Sequence, residues 1–159
     1  PLHLDPETEA QIAKDGYVII VESIGDLLNL KENGNHNVLV SFGLDISSKL
    51  VCSLVSIAPK HIVISFNNDN SQENNRGLDA SFKNFLKLLG MFAPEKIKIS
   101  LPLKNDFGDM SEADFPKWKE KTIKKIETSQ IEEIKAGCKN MIEQNKLPKK
   151  LAARLKLLT

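Results

Sequence analysis

The stretch IVISFNNDN, residues 62–70, decides how the rest of the chain is read. Its apolar run suits a parallel strand buried on both faces, and the run breaks off into a polar, metal-capable turn around Asp69. In an open α/β sheet, the turn beyond a strand's carboxyl end is where ligands bind. Working outward, YVIIV (17–21) stops at Glu22, and the ESIGD segment then opens a helical pattern through Leu27, Leu28 and Leu30. Gly34, between Asn33 and Asn35, closes that helix. VLVSF (38–42) leads to Gly43 and then to Ser47 or Ser48. Either serine can cap a helix with apolar positions at Leu50, Val51, Leu54 and Val55, ending at Pro59. After a polar loop, 67–75, the residues Leu78, Phe82, Phe85, Leu86 and Leu89 mark the clearest amphipathic helix, closed by Gly90. KIKISL (96–101) alternates polar with apolar, which predicts an edge strand with one wet face, and it runs on into Asp106 and Asp109. Strands alternating with helices at crossover spacing predict an α/β fold: a parallel four-stranded sheet with right-handed connections and flanking helices.

At 159 residues the chain is one domain's worth, long enough to bury a core without disulfides or metal clips. Cys52 and Cys138 lack CxxC or Cys/His spacing, so both are expected to be packed thiols in a reducing, cytoplasmic compartment. No apolar run reaches the length of a membrane span, and PLHLDPETEA at the start is too acidic and polar for a signal peptide. No membrane association is expected. Residues 1–13 show no clear period and contain Pro6, so they are taken as a lead-in. Beyond residue 110, Ser111 with Asp114 resembles a capping box, and Ile123, Ile126, Ile131, Ile134, Cys138 and Met141 predict one or two helices. Pro148 sets off a last basic segment, KKLAARLKLL. Net charge is +1 but unevenly spread. Residues 1–110 carry ten Lys/Arg and fourteen Asp/Glu, and 111–159 carry twelve and seven. Such asymmetry fits a cation site followed by an anion-contacting tail, and equally a solvated Lys-rich helical face.

The acids are informative through where they fall. Glu22 follows the first predicted strand, Asp69 the third, and Asp106 and Asp109 the fourth. A parallel sheet brings all those ends to one edge, and hard oxygen ligands gathered there suit Mg²⁺ or Mn²⁺ together with substrate phosphates. Phosphoryl transfer is the chemistry such a set performs. Any one of these acids alone would ordinarily be a solvated side chain or a helix cap. Asp26 is either a first-turn acid favoured by the helix dipole or a further group in the cleft, and Lys104 either reaches a phosphate or decorates a loop.

In order, these residues resemble the Toprim domain shared by primases, topoisomerases, recombination mediators and some nucleases. They are a strand ending at Glu22, Asp26 four residues on, an NxD turn at Asn67 and Asp69, and then KNDFGD. ESIGDLLNL, VLVSFGL and KNDFGDM look most like phage-type DNA primases. The resemblance covers residues 14–115 and leaves 116–159 as a basic helical extension. It implies that Glu22 is the general acid/base or a metal ligand, and that Asp69 with Asn67 holds divalent ions. Asp106, Asp109 and Asp26 would be further ligands or supports of the ligands. It also implies a single-stranded DNA template, nucleoside triphosphates and a replicative helicase as partners. Two departures stand out. Asn67 replaces the first aspartate of the family's DxD, which weakens cation binding, and the loop before Gly77 is longer than in the family. Primases of this type also carry a zinc ribbon and a basic subdomain, so this chain is expected to be a catalytic fragment or to act with another polypeptide. The alternatives are a Toprim nuclease or topoisomerase-like cleaver, and a degenerate scaffold that docks a replication partner through 116–159. The one tyrosine, Tyr17, begins a strand and is poorly placed for the topoisomerase role. Oligomeric state is left open.

Overall fold

The computed structural model describes residues 4–70 and 73–158. Residues 1–3 of the lead-in and 71–72 of the 67–75 loop therefore lie outside the described residues. Strands β1 (Tyr17–Val21), β2 (Val38–Val40), β3 (His61–Ile64) and β4 (Ile97–Ile99) form one parallel sheet in the order β2-β1-β3-β4. The helices are α1 (Pro6–Asp15), α2 (Ile24–Glu32), α3 (Ser48–Ile57), α4 (Arg76–Leu88), α5 (Asp114–Glu127), α6 (Ile131–Glu143) and the short α7 (Lys149–Ala152).

The order dictates where the helices lie. From β1 the chain steps outward to β2, then crosses back past β1 to β3 and on to β4. With right-handed crossovers, reversing direction reverses the face that each connecting helix covers. Leu27 and Leu30 of α2 accordingly pack with Ile19 and Val21 on one face, whereas Leu54 of α3 and Phe85 of α4 pack with Val18 and Ile20 on the other. Beyond β4, α5 joins the α2 face through Phe115 and Trp118, and α6 joins the α4 face through Ile134, Cys138 and Met141. The loops after β1 and β3 leave in opposite directions, which opens a crevice between them: the topological switch point of the sheet.

Local chemistry fixes the helix starts. Asp5, Ser23, Ser47 and Asn75 each accept a hydrogen bond from a first-turn N–H of α1, α2, α3 and α4, so Ser47 rather than Ser48 caps α3. Ser111 N–H donates to the Asp114 carboxylate at 2.9 Å, one half of the expected capping box.

Three expectations are corrected. The residues taken as a lead-in hold α1, with Pro6 in the first turn where its missing N–H costs nothing. Only Thr8 and Ile12 of that helix are buried, too few to print a period. Strand β4 has no wet face. Lys98 is 5 % exposed and donates to Thr128 O at 2.7 Å, and the Ser100 hydroxyl bonds the Thr122 hydroxyl at 2.7 Å, so α5 covers the polar side with polar partners. Of the thiols, Cys138 is buried, which pushes its pKa to about 11, but Cys52 is exposed on α3.

The outer side of β4 is sealed by side chains. The chain wraps around it between α5 and α6, where the Gln130 amide accepts from Ile99 N–H at 2.9 Å and donates to Ile99 O at 2.8 Å. Lys121 donates to Leu101 O at 3.2 Å and Lys125 to Ile99 O at 3.5 Å. Arg154 donates to Leu86 O and Lys87 O, closing the carboxyl end of α4. Among the described residues no helix is long and apolar enough to cross a membrane.

Candidate functional site

The crevice at the switch point is built by three loops that hold one another. Glu22 leaves β1 with its main-chain oxygen accepting Gly43 N–H at 3.0 Å, which ties it to the loop after β2. Its carboxylate accepts Asn67 N–H at 3.4 Å, which ties it to the loop after β3. That second loop is organised by asparagines. Asn68 bonds Asn105 O through its N–H at 2.7 Å and Pro102 O through its amide at 3.0 Å, which anchors the loop to the one after β4. Asn75 Oδ1 accepts from both Asp69 N–H and Leu78 N–H at 3.1 Å, and its amide nitrogen donates to Asn68 Oδ1 at 3.0 Å. The loop then doubles back so tightly that a Cβ at Gly77 would overlap the Asn67 carbonyl oxygen, so only glycine fits there. Gly77 N–H donates to Asp69 Oδ2 at 3.3 Å. The amino end of α4, with its positive dipole end and its first-turn N–H groups bonded to Asp69 and Asn75, thus lies beside Asp69 and Glu22.

The electrostatics record the crowding. Burial raises the Glu22 pKa; the Asn67 N–H opposes this, the Asp26 and Asp69 carboxylates add to it, and Arg76 opposes it. Asp26, 4 % exposed in the first turn of α2, is also raised by burial, against hydrogen bonds from the Ser23 hydroxyl at 2.9 Å and Phe107 N–H at 3.3 Å, with Asp106 adding to the rise. Protons are held here more firmly than on free carboxylates. A cation or a proton relieves the same repulsion.

The structure therefore gathers Glu22, Asn67 and Asp69, with Asp26 in electrostatic range. Asp26 serves first as a tie between α2 and the loop after β4. Asp106 caps the 3-10 turn at 107–109, accepting Asp109 N–H at 2.9 Å. Asp109 and Lys104 are exposed and line a shallow groove of about 280 Å³ with Asn68, Asn70, Leu103 and Asn105, next to the crevice rather than in it. Among the described residues, no three His, Cys, Asp or Glu side chains come together as a metal-binding group. Asn67 Oδ1, however, is buried with no hydrogen-bond partner among the described residues.

Sequence reasoning passed over two residues. Arg76, the first residue of α4, is the cation facing Glu22, and only the fold-back at Gly77 brings it there. Phe42 ends the β2 segment at the same sheet edge, 60 % exposed with φ of 58°. For a bulky residue that conformation costs on the order of 1–3 kcal/mol and is characteristic of functional edges. The Phe-Gly pair after an apolar run was its only signal. Compared with known protein families, curated proteins and solved structures, the chain gives no significant match to any.

Proposed function

We propose that the crevice between β1 and β3 is the catalytic centre of a Toprim-type nucleotidyltransferase, the core of a DNA primase that joins ribonucleotides on a single-stranded template. The observation that carries this is the meeting of the Glu22 carboxylate with the Asn67–Asp69 turn at the switch point, in contact although 45 residues apart in sequence. The donor set fits a divalent ion held loosely. Glu22 and Asp69 supply carboxylate oxygens, and Asn67 supplies a buried amide oxygen that lacks a partner among the described residues. These residues would hold Mg²⁺ or Mn²⁺, which when bound offsets the charge of the reacting phosphates.

The chain's own groups account for the remaining steps. Arg76 and the amino end of α4 attract the triphosphate of the incoming nucleotide. The primer 3′-hydroxyl attacks the α-phosphate, its oxygen–phosphorus bond forming as the bond to pyrophosphate breaks. Glu22, at the edge of the crevice, takes the hydroxyl proton. Asp26 holds the α2 end of the site in register with the loop after β4.

A scaffold role is the second reading, favoured by the lack of a three-acid group among the described residues and by the Asp69 carboxylate already accepting an α4 N–H. Primer synthesis by the full parent protein with Mg²⁺ or Mn²⁺ separates the two. Glu22→Gln is expected to cut synthesis by about 10²–10⁴-fold with its melting temperature unchanged. Full activity in both Glu22→Gln and Asp69→Asn would establish the scaffold, which would then engage a helicase or other replication partner. Strand nicking that needs no nucleoside triphosphate would establish the nuclease.

A further inference from the structure

At the opposite end of the sheet, where β3 and β4 begin, lies a cavity of about 240 Å³. Its wall is mixed: Ile126 near the end of α5 and Ile131 of α6 give it an apolar side, and Thr128, Ser129 and Gln130 a polar one. Into this wall is set the ammonium of Lys98, 5 % exposed. An ammonium has three N–H donors, and Lys98 uses one, on Thr128 O at 2.7 Å. Among the described residues no carboxylate lies within 4.0 Å of it. The other buried polar side chain in the lining, Gln130, has both ends of its amide committed to Ile99. Lys98 is thus a desolvated cation with bonding capacity left over, facing a space no protein group fills.

The surroundings define what would fill it. His61 shares the wall, and Lys60, Lys96 and Lys98 all act on it with positive charge. Glu95 and Glu127 also line the cavity and are exposed, and the Glu95 carboxylate offsets part of the Lys98 charge without reaching contact distance. The space holds roughly eight water-sized groups. A phosphate would leave the isoleucine side of the wall unused, whereas a monocarboxylate places one end on the ammonium and its hydrocarbon on Ile126 and Ile131.

We propose that this cavity binds a small organic carboxylate, its anionic end on Lys98 Nζ and its hydrocarbon body against Ile126 and Ile131. The site is independent of the crevice at the carboxyl edge.

NMR titration of the full chain with hexanoate and benzoate tests this, with hexanol and inorganic phosphate as comparators and the Lys98 side-chain and Thr128 and Ile131 amide signals as readout. Both carboxylates should shift those signals. Lys98→Met should weaken them by about tenfold or more, and its melting temperature should hold or rise because an unpaired buried charge is gone. Ile131→Trp, which fills the space and keeps the ammonium, should abolish binding, and it carries the test if Lys98→Met fails to fold. Hexanol binding as tightly as hexanoate, phosphate binding as tightly as either acid, unaltered affinity in either variant, or no shift up to the solubility limit of the acids would overturn the proposal.

Discussion

The crevice between β1 and β3 and the outer side of β4 solve opposite problems with opposite charges. In the crevice, main-chain N–H groups are offered to acids: Asn67 to Glu22, Gly77 to Asp69, Phe107 to Asp26. Along β4 and just beyond it, main-chain carbonyls are offered to ammoniums, Ile99 to Lys125 and Leu101 to Lys121, and Lys98 of β4 reaches Thr128 O at the end of α5. The difference follows from chain direction. Helices begin at the carboxyl edge, leaving donors without partners, while a terminal strand leaves a row of outward groups. Both places hold charge at a cost, since burial raises the pKa of Glu22 and Asp26 and lowers that of Lys98 and Lys121. The acids stay in a crevice that solutes reach, and Asp26 beneath them is shut in. Of the lysines, Lys121 and Lys125 lie against the border of the sheet and finish it, whereas Lys98 faces the cavity where β3 and β4 begin.

The sharpest way to break this contrast is at Gly77. Gly77→Ala should force α4 away from Asn67 and cost on the order of 3 kcal/mol in urea unfolding, because the obstructing atom is backbone and cannot rotate aside. A loss below about 1 kcal/mol would mean that the crevice is not held shut by this approach. On the other side, Gln130→Ala should cost about 2 kcal/mol, because the buried N–H and C=O of Ile99 lose their partners. Hydrogen exchange at Ile99 should quicken in the same variant. Unchanged protection there would show that the lysines seal the edge by themselves.

The smallest effect concerns pH. Glu22 and Asp26 have raised pKa values, so the folded state holds their protons where the unfolded chain has released them. Their contribution to stability is therefore greatest in acid and declines as pH rises from the ordinary carboxylate range through the raised values. Asp26→Asn, which can still accept from Phe107 N–H and bond Ser23, should flatten that decline and change stability at neutral pH by no more than about 1 kcal/mol. Thermal melts across the acid range check the slope. An unaltered slope would place the burden on Glu22.

Much of the fold could be read from the chain because buried parallel strands announce themselves as unbroken apolar runs and because Ser23, Ser47, Asn75 and Gly34 carry their turn chemistry locally. Glu22 and Asp69 stood out for the same reason: Glu22 directly follows such a run, and Asp69 lies in the polar turn that ends another. Arg76 was not, since its place depends on a loop folding back on itself. Phe42 was not, since the sign of φ has no periodic signature. The alternation in β4 misled because a polar residue facing Thr122 or Thr128 looks the same as one facing water. In the basic tail, part of the charge is used internally. Lys121, Lys125, Lys146 and Arg154 are bonded to the protein's own oxygens, which reduces the charge left for an external anion.

Gln130 has one further implication. A single side-chain amide occupies the position a fifth strand's backbone would take beside Ile99, matching its donor and acceptor one for one. Any copy of this chain, or any extended peptide, that tried to lengthen the sheet from this border would first have to evict a glutamine already bonded in both directions. Templated growth into fibrils is thus discouraged at this side by one residue, and β2 is left as the border where such addition would have to begin.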